Sequence, residues 1–289
     1  MAKDLLFEIG AEEIPAGFLP NIIKQLGELA TAALAERHIP HGAVKVYATP
    51  RRVALLINDV AERGEDVHET HKGPSVSIAY DGDGNPTKAA IGFARGKGLD
   101  VSELKVVDGY IFADTTTAGL DTKEVLSEVL PSLITGLSFP KSMHWGDLEE
   151  RFVRPVRWLV ALFGQDVVPV TFANVTSTNV SRGHRFLGES ELTIAEPKDY
   201  VDTLTKNFIM IDQDVRRETI RKQLTELAAT KGATVVWDEG LLDEVTFLVE
   251  YPTALCGTFD ESYLALPSDC IITPMKDHQR YFPMVDGKG

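Results

Sequence analysis

The stretch FVRPVRWLVALFG, residues 152–164, carries two arginines into an apolar run that is typical of a buried strand. A second stretch, SRGHRFLGE at 181–189, combines arginines with strand-like sequence in a similar way. The arginines of the two stretches are Arg154, Arg157, Arg182 and Arg185. Guanidinium groups lose hydration when a fold buries their surroundings, so each of them needs an acidic partner or an anionic ligand.

The balance of charge in the chain is compatible with either an acidic partner or an anionic ligand for these arginines. The chain has 43 Asp and Glu against 29 Lys and Arg, so internal carboxylates suffice for all four arginines. The clustering favours a ligand, because arginine's planar fork suits phosphate and a polyanion contacts several such forks at once. The formal net charge of −14 excludes nucleic-acid binding through the field of the whole surface, so any such contact requires a local basic patch.

Composition and length indicate a globular protein, with 44% hydrophobic and 25% charged residues among 289. The first residues, MAKDLLFEIGAEEIP, place glutamates where a signal peptide needs an apolar stretch, and the run WLVALF at 158–163 is too short to span a bilayer. We therefore expect a soluble cytoplasmic protein with no membrane partner. Cys256 and Cys270 stand in apolar sequence and are expected to be buried free thiols.

Hydrophobic periodicity predicts both strands and helices along the chain. Strands are predicted at 5–10, 45–48, 52–60 and 232–237, and helices at 17–37, 87–97, 122–134 and 212–231. The sequence LLDEVTFLVEYP at 241–252 predicts a helix that runs into a strand, Asp108-Gly109 predicts a hairpin, and the polar stretch 61–74 predicts a loop. Length allows an N-terminal α+β lobe at 1–140 with a second lobe at 141–289, or one composite domain.

Three motifs resemble ligand sites but lack a required residue. DGDGNP at 81–86 has Pro86 where a calcium loop needs glycine, so it predicts a turn. GFARGKG at 92–98 lacks the Ser or Thr of a phosphate loop and predicts a helix end. HETH at 68–71 lacks a third metal ligand and stands in loop-like sequence. We expect no catalytic residue and no metal site in this chain.

Basic and aromatic residues recur together elsewhere in the chain, in TPRR at 49–52, KSMHW at 141–145 and MKDHQRYF at 275–282. If SRGHRF is a strand, its alternation puts Arg182, His184 and Phe186 on one face and Arg185 on the other, whereas Pro155 leaves the relative direction of Arg154 and Arg157 open. Core packing is an alternative use for the aromatic residues. It is favoured for Trp158, which has apolar neighbours, and stays open for Trp145 and Phe186.

Seven sequence motifs, taken in order along the chain, resemble the bacterial glycyl-tRNA synthetase beta subunit. They are FEIGAEEIPAGF at 7–18, TPRR, KGP at 72–74, FVRPVRW, RGHRF, LVEYP and MKDHQRYF. The match is collinear from the first residues to the last. Members of that family are more than twice this long, so the chain resembles an N-terminal fragment without the helical remainder and the anticodon-binding end.

The resemblance implies a subunit of a heterotetrameric ligase that joins glycine to tRNA(Gly). ATP and Mg are implied in the catalytic alpha subunit, with no cofactor bound by this chain, while the beta subunit supplies tRNA recognition and assembly. The implied fold is α+β, with mixed sheets and packed helices, and is similar to the B3/B4 module of the phenylalanyl-tRNA synthetase beta subunit. The implied partners are the alpha subunit, tRNA(Gly) and the remainder of the beta subunit.

The resemblance also marks the residues proposed to bind tRNA. They are Arg51, Arg52, Arg154, Arg157, Arg182, His184, Arg185, Lys276, His278, Gln279 and Arg280. The cations are expected to contact phosphates, and the histidines with nearby aromatic residues to hold unpaired nucleotides. Two alternatives remain. An editing module is less favoured, because a glycine pocket excludes larger amino acids sterically. A scaffold for subunit assembly would pair these arginines internally and expose apolar patches.

Overall fold

The computed structural model describes residues 2–287 as an α+β fold, as expected. The strands are β1 (Ala2–Ala11), β2 (Val44–Thr49), β3 (Arg52–Ala61), β4 (Val67–Ser75), β5 (Lys105–Val107), β6 (Tyr110–Thr117), β7 (Val156–Phe163), β8 (Asp166–Val167), β9 (Thr171–Phe172), β10 (Val175–Thr176), β11 (Val180–Ser181), β12 (Leu192–Thr193), β13 (Ala233–Val235) and β14 (Met284–Asp286). The helices are α1 (Leu19–Glu36), α2 (Val76–Ala79), α3 (Lys88–Gly96), α4 (Thr122–Gly136), α5 (Tyr200–Lys206), α6 (Gln213–Thr230), α7 (Glu239–Thr246) and α8 (Ser268–Thr273).

The main sheet has five strands in the order β2-β3-β1-β7-β8, with antiparallel neighbours. Its middle strand, β1, pairs Phe7 with Leu55 of β3 and with Ala161 of β7. Every residue of β1 from Leu5 to Ala11 is buried, because the sheet is covered on both faces. The resemblance implies sheets with mixed strand directions. The strands of the main sheet pair antiparallel, and a parallel bridge within the described residues joins Val160 to Thr178.

Each face of the main sheet has its own apolar core. Leu5, Phe7 and Ile9 point to the face that is covered by α1 and α4. Trp145, whose role the sequence left open, packs against this first core. The opposite face carries a second core, in which Leu6, Trp158, Val160 and Leu162 meet Tyr200 and Leu204 of α5. The core position expected for Trp158 is confirmed.

A second sheet, with strand order β4-β6-β5, lies between β3 and α4 in the chain. The prediction of a loop over 61–74 is wrong there, because β4 spans most of it and pairs with β6. The side chains at 68–70 are exposed, so the segment lacks the apolar alternation that reveals a strand. The predicted hairpin is confirmed, since Asp108 and Gly109 join β5 to β6 with φ angles of 49° and 78°.

The motifs at 81–86 and 92–98 form the turn and the helix end that their sequences predict. The Asp81 carboxylate accepts hydrogen bonds from the backbone N–H groups of Asp83 and Asn85. The α3 helix ends at Gly96, and Gly98 follows with a φ of 72°. Strands β7 and β8 of the main sheet belong to the sequence after residue 140, whereas β1, β2 and β3 belong to the sequence before it. How the chain divides into domains remains a prediction.

Two further expectations for the second half of the chain are wrong. The chain after α7 is irregular over residues 247–260, so LVEYP is not a strand. Both thiols are free, but Cys256 is only half-buried and Cys270 is exposed, because the segment around them packs loosely. None of the helices within residues 2–287 combines the length and the apolar character needed to cross a membrane.

Candidate nucleic-acid interface

A carboxylate is buried in the middle of the main sheet. Glu8 belongs to β1 and points to the second core, where it is 0% exposed. Its carboxylate accepts hydrogen bonds from the Ser181 hydroxyl at 2.8 and 2.9 Å and from the indole N–H of Trp158. The Trp158 ring lies over Gly10, where an added Cβ would come within 1.9 Å of it. Glycine is therefore required in the EIG sequence for Trp158 to reach Glu8.

Arg52, the first residue of β3, is the cation that balances this site and is also 0% exposed. Its Nη1 lies 3.5 Å from Oε1 of Glu8, and its Nε lies 3.3 Å from Oε1 of Glu250. Burial opposes the charged form of the guanidinium, but Glu250 and Glu8 outweigh burial and raise the pKa of Arg52. Thr49 donates a further hydrogen bond to Glu250 at 2.7 Å. We call Glu8, Arg52, Ser181 and Glu250 the buried network.

The buried network fixes loops that carry other predicted site residues. Nη1 of Arg52 donates to the carbonyl oxygen of Arg182 at 2.7 Å, and Glu250 connects the irregular segment after α7 to the same guanidinium. One buried cation therefore joins β3 to the 181–186 loop and to the 247–251 segment. This arrangement places both loops at the end of β1 where Glu12 and Glu13 follow the strand.

Four arginines gather around these two glutamates at the surface. The arginine cluster consists of Arg51, Arg154, Arg157 and Arg185. The Glu12 carboxylate lies 3.2 Å from Nε of Arg157 and 3.2 Å from Nη2 of Arg185, while Glu13 lies 3.6 Å from Nη1 of Arg185. The sequence predicts an acidic side chain or an anionic ligand as the partner of Arg154. Arg154 instead donates to the Glu13 carbonyl oxygen at 3.1 Å.

Arg51 has the least satisfied guanidinium of the cluster. Its Nε is buried and makes no hydrogen bond within residues 2–287. The guanidinium lies over the ring of Trp158, with Cζ 5.6 Å from the ring centroid. Burial, followed by the positive charge of Arg185, lowers the pKa of Arg51. Arg51 and Arg185 therefore lie close together, and the positive charge of Arg51 is only partly compensated by protein groups.

The arginine cluster borders a cleft of about 240 Å³. The cleft is lined by Glu13, Pro50, Arg51, His184, Arg185, Phe186, Leu248, Val249, Glu250 and Tyr251. Phe186 is 85% exposed, so the alternative that it serves as a core anchor is wrong. Nδ1 of His184 accepts the backbone N–H groups of Phe186 and Leu187 at 3.3 Å each, which leaves the proton of a neutral ring on Nε2.

The SRGHRF sequence forms a strand only at its start, because β11 ends at Ser181 and a turn follows. The prediction that Arg182, His184 and Phe186 share a strand face is therefore wrong. Tertiary packing determines the path of the chain here, because Gly183 lies against the backbone of Glu189. A Cβ at Gly183 would lie 2.4 Å from the Glu189 carbonyl oxygen. Arg182 turns away from the cluster, to the Ser190 carbonyl oxygen at 3.1 Å and to Glu191 at 3.5 Å.

The candidates from MKDHQRYF lie at a different place. Lys276 pairs with Asp238 at 2.9 Å, and Arg280 pairs with Glu244 at 2.8 Å. Both carboxylates belong to the start and the body of α7. His278 ends a π-helical turn over Pro274–His278, and Gln279 is the C-cap residue of that turn. Within residues 2–287, no hydrogen bond or ion pair joins these four residues to the arginine cluster.

Sequence reasoning missed Glu8, Glu250 and Arg216. Arg216 of α6 is fully buried, and its guanidinium donates to the carbonyl oxygens of Ala48, Met210, Ile211 and Thr246 at 2.5–3.2 Å. Burial lowers the pKa of Arg216 to about 10. A signal existed for Glu8 alone, as the only charge within the apolar strand LLFEIG. Across residues 2–287, no group of three or more His, Cys, Asp or Glu side chains is arranged to hold a metal ion.

The structure therefore belongs to the class of α+β proteins and carries a local cluster of arginines on an acidic chain. The glycyl-tRNA synthetase beta subunit family matches residues 5–289, and the chain belongs to this family. It is 47% identical over its whole length to the glycine–tRNA ligase beta subunit of Desulforamulus reducens, and 48% identical over 99% of its length to that of Bacillus subtilis. The chain covers 42% and 43% of these two relatives, so it spans about two fifths of their length.

Proposed function

We propose that this chain forms part of the beta subunit of a glycine–tRNA ligase and contributes to tRNA recognition through the arginine cluster. The complete ligase would attach glycine to tRNA(Gly) in the cytoplasm, with ATP and Mg bound by an alpha subunit. The support is the family membership together with the similarity to relatives that carry the name glycine–tRNA ligase beta subunit.

One observation carries the proposal for tRNA: cations from three separate segments meet on one surface. Arg51 follows β2, Arg154 and Arg157 surround the start of β7, and Arg185 belongs to the loop after β11. With Arg52, these arginines outnumber the four carboxylates Glu8, Glu12, Glu13 and Glu250. The local net charge is therefore +1 in a chain of net charge −14. Such a patch attracts phosphate while the rest of the surface repels it.

The candidates take different parts in this proposal. Arg51, Arg154, Arg157 and Arg185 are proposed as phosphate ligands, because each has an exposed or half-exposed side chain at the cluster. Arg52 is proposed to act indirectly, by holding the 181–186 loop and the 247–251 segment in place. Arg182, Lys276, His278, Gln279 and Arg280 are proposed as an outer part of the tRNA surface. The ion pairs of Arg182, Lys276 and Arg280 are exposed enough to exchange for phosphates.

The proposal is tested by the salt dependence of tRNA binding. The complete ligase that contains this chain is titrated with tRNA(Gly) and a non-cognate tRNA at several salt concentrations, as wild type and as the Arg157→Ala/Arg185→Ala variant. We expect weaker binding by the variant. The slope of log Kobs against log salt should be shallower by about 0.7–0.9 for each phosphate that the variant no longer neutralises.

Arg95→Ala/Lys97→Ala is the matched control, because it removes two positive charges from exposed positions at the end of α3. It should leave both the affinity and the slope near their wild-type values. A folded Arg157→Ala/Arg185→Ala variant that binds tRNA(Gly) like the wild type would remove the cluster from the tRNA site.

A second candidate function, subunit assembly, is favoured by apolar side chains exposed in the C-terminal segment. The exposed residues are Leu255 (86%), Phe259 (49%), Tyr263 (55%), Leu264 (65%), Leu266 (49%) and Tyr281 (59%). Large exposed apolar patches mark sites of protein contact. We propose that this segment docks the remainder of the beta subunit or the alpha subunit.

The assembly proposal is tested with Leu255→Ser/Leu264→Ser, followed by size-exclusion chromatography of the co-expressed subunits. We expect loss of the assembled ligase without a change in the fold of the chain. Ile78→Ser/Ile91→Ser is the control, because these residues are also exposed but lie beside the second sheet. Normal assembly of the Leu255→Ser/Leu264→Ser variant would contradict the proposal.

We also propose that the fold is related to the B3/B4 module of the phenylalanyl-tRNA synthetase beta subunit. The α+β class and the sheet covered on both faces support this relation. Superposition on a solved structure of that module would test it, and a different strand order would contradict it. Editing of mischarged tRNA stays a less favoured alternative, because the exclusion of larger amino acids from a glycine pocket already gives specificity.

A further inference from the structure

The cleft beside the arginine cluster joins three kinds of groups that phosphate and a nucleobase need. The phosphate-binding part consists of Arg51 and Arg185, which both line the cleft. Nε of Arg51 is buried without a hydrogen-bond acceptor, and the guanidinium lies over the Trp158 ring. An anion between the two arginines would relieve the repulsion that helps to lower the pKa of Arg51.

The opposite wall of the cleft offers aromatic faces. Phe186 projects into solvent with 85% of its surface exposed, an unusual position for a large apolar side chain. Its backbone N–H is bonded to Nδ1 of His184, so the turn that presents the ring is fixed. Tyr251 is 41% exposed, and its ring is supported edge-on by Phe208 at 5.4 Å.

The size of the cleft limits the ligand. Its volume of about 240 Å³ is below the roughly 300–1,000 Å³ of pockets for drug-sized molecules, so it suits a single nucleotide unit. A base inside a duplex does not expose its face to an aromatic side chain, whereas an unpaired base does. Glu250 lines the cleft but is already engaged by Arg52 and Thr49, and Glu13 is free to exchange its contact of 3.6 Å with Arg185.

We infer that this cleft binds one unpaired nucleotide of an RNA chain, with its phosphate between Arg51 and Arg185 and its base stacked on Phe186. Nε2 of His184 is the donor that lies ready for a base edge or a ribose hydroxyl. The inference rests on the proposed function, since it assigns the kind of nucleotide that the same surface recognises. It predicts that stacking and charge contribute to binding as separable terms.

The test separates these two terms in the complete ligase, using tRNA(Gly) as the probe over a range of salt concentrations. Phe186→Ala should weaken binding about tenfold, because the stacked base loses its aromatic partner, and it should leave the salt slope unchanged. Phe186→Tyr should restore the affinity. Arg51→Ala should weaken binding and lower the slope by about one unit. Leu187→Ala is the matched control, since Leu187 is 55% exposed but does not line the cleft.

Ultraviolet cross-linking and mass spectrometry then identify the nucleotide that contacts Phe186 or Tyr251. An unpaired nucleotide is expected, and a nucleotide from a base-paired stem would overturn the inference. So would wild-type affinity in Phe186→Ala, or tighter binding of a free nucleoside monophosphate than of an unpaired oligonucleotide. If Phe186→Ala has no effect while Arg157→Ala/Arg185→Ala weakens binding, this inference fails and the proposed function stands. If neither variant changes binding, both fail.

Discussion

Glu8 lies within β1 and Glu12 follows the end of that strand four residues later, yet the two hold arginines in opposite ways. Glu8 and Arg52 are both 0% exposed, whereas Glu12, Arg157 and Arg185 expose 39%, 60% and 42% of their side chains. The buried network binds its arginine through several charge-assisted contacts to protein groups. The arginine cluster at the surface holds its arginines loosely and in water. The same pair of residue types therefore serves the structure in one place and is available to a ligand in the other.

Desolvation explains this difference. A buried charge that loses its partner has no water to replace it, so the loss is expensive. An exposed ion pair contributes only about 0–1 kcal/mol, because water solvates both partners when they separate. The contacts of Glu12 with Arg157 and Arg185 can thus be exchanged for phosphates at little cost. The buried network would hold the loops that carry Arg185 and His184 during the proposed exchange.

The largest expected effect comes from removing the buried cation. Arg52→Met leaves Glu8 and Glu250 without their shared partner, so we expect the free energy of unfolding to fall by about 3–5 kcal/mol. Urea unfolding followed by circular dichroism measures this change. Arg157→Met is the matched control at the surface, where the expected change is within about 1 kcal/mol. Similar losses in the two variants would contradict the distinction between the buried network and the arginine cluster.

The buried network also explains why sequence analysis reached only part of the site. Elements with a clear apolar pattern, such as β1, β3 and α1, are predictable because each buries a run or a periodic set of apolar residues. Arg52 and Glu250 are separated by 198 positions, so no local pattern indicates their contact. The motifs point to the arginine-rich segments, but their sequence does not reveal which arginine is buried. Arg216 illustrates the same limit, because carbonyl oxygens from distant segments satisfy it.

A smaller effect, confined to alkaline pH, is expected from Tyr200 next to the buried network. Burial, followed by the charge of Glu8, raises the pKa of the Tyr200 phenol well above its usual value. In the unfolded chain this phenol ionises near pH 10, so above that pH the unfolded state binds fewer protons than the folded state. Stability then falls with rising pH, by up to about 1.4 kcal/mol per pH unit from this group.

Tyr200→Phe removes this contribution and separates it from those of other groups. Between pH 7 and 9 the difference in unfolding free energy between the two proteins should be constant, because the phenol is protonated in both states. From pH 10 to 11 the wild type should lose stability relative to the variant. Urea unfolding at half-unit pH intervals measures the difference. Parallel curves across the whole range would show that the Tyr200 phenol is not shielded in the folded protein.

The smallest expected change in stability tests the surface side of the comparison. Glu12→Gln removes the carboxylate that lies 3.2 Å from both Arg157 and Arg185, and we expect the free energy of unfolding to change by no more than about 1 kcal/mol. Binding of tRNA(Gly) should become stronger and more dependent on salt, because the two guanidinium groups no longer have to release an internal anion. Glu196→Gln is a suitable control, since its carboxylate pairs with Lys198 outside the cluster. Weaker tRNA binding in Glu12→Gln would instead mean that Glu12 holds the two arginines in their binding positions, so that the surface pair, like the buried one, is part of the structure.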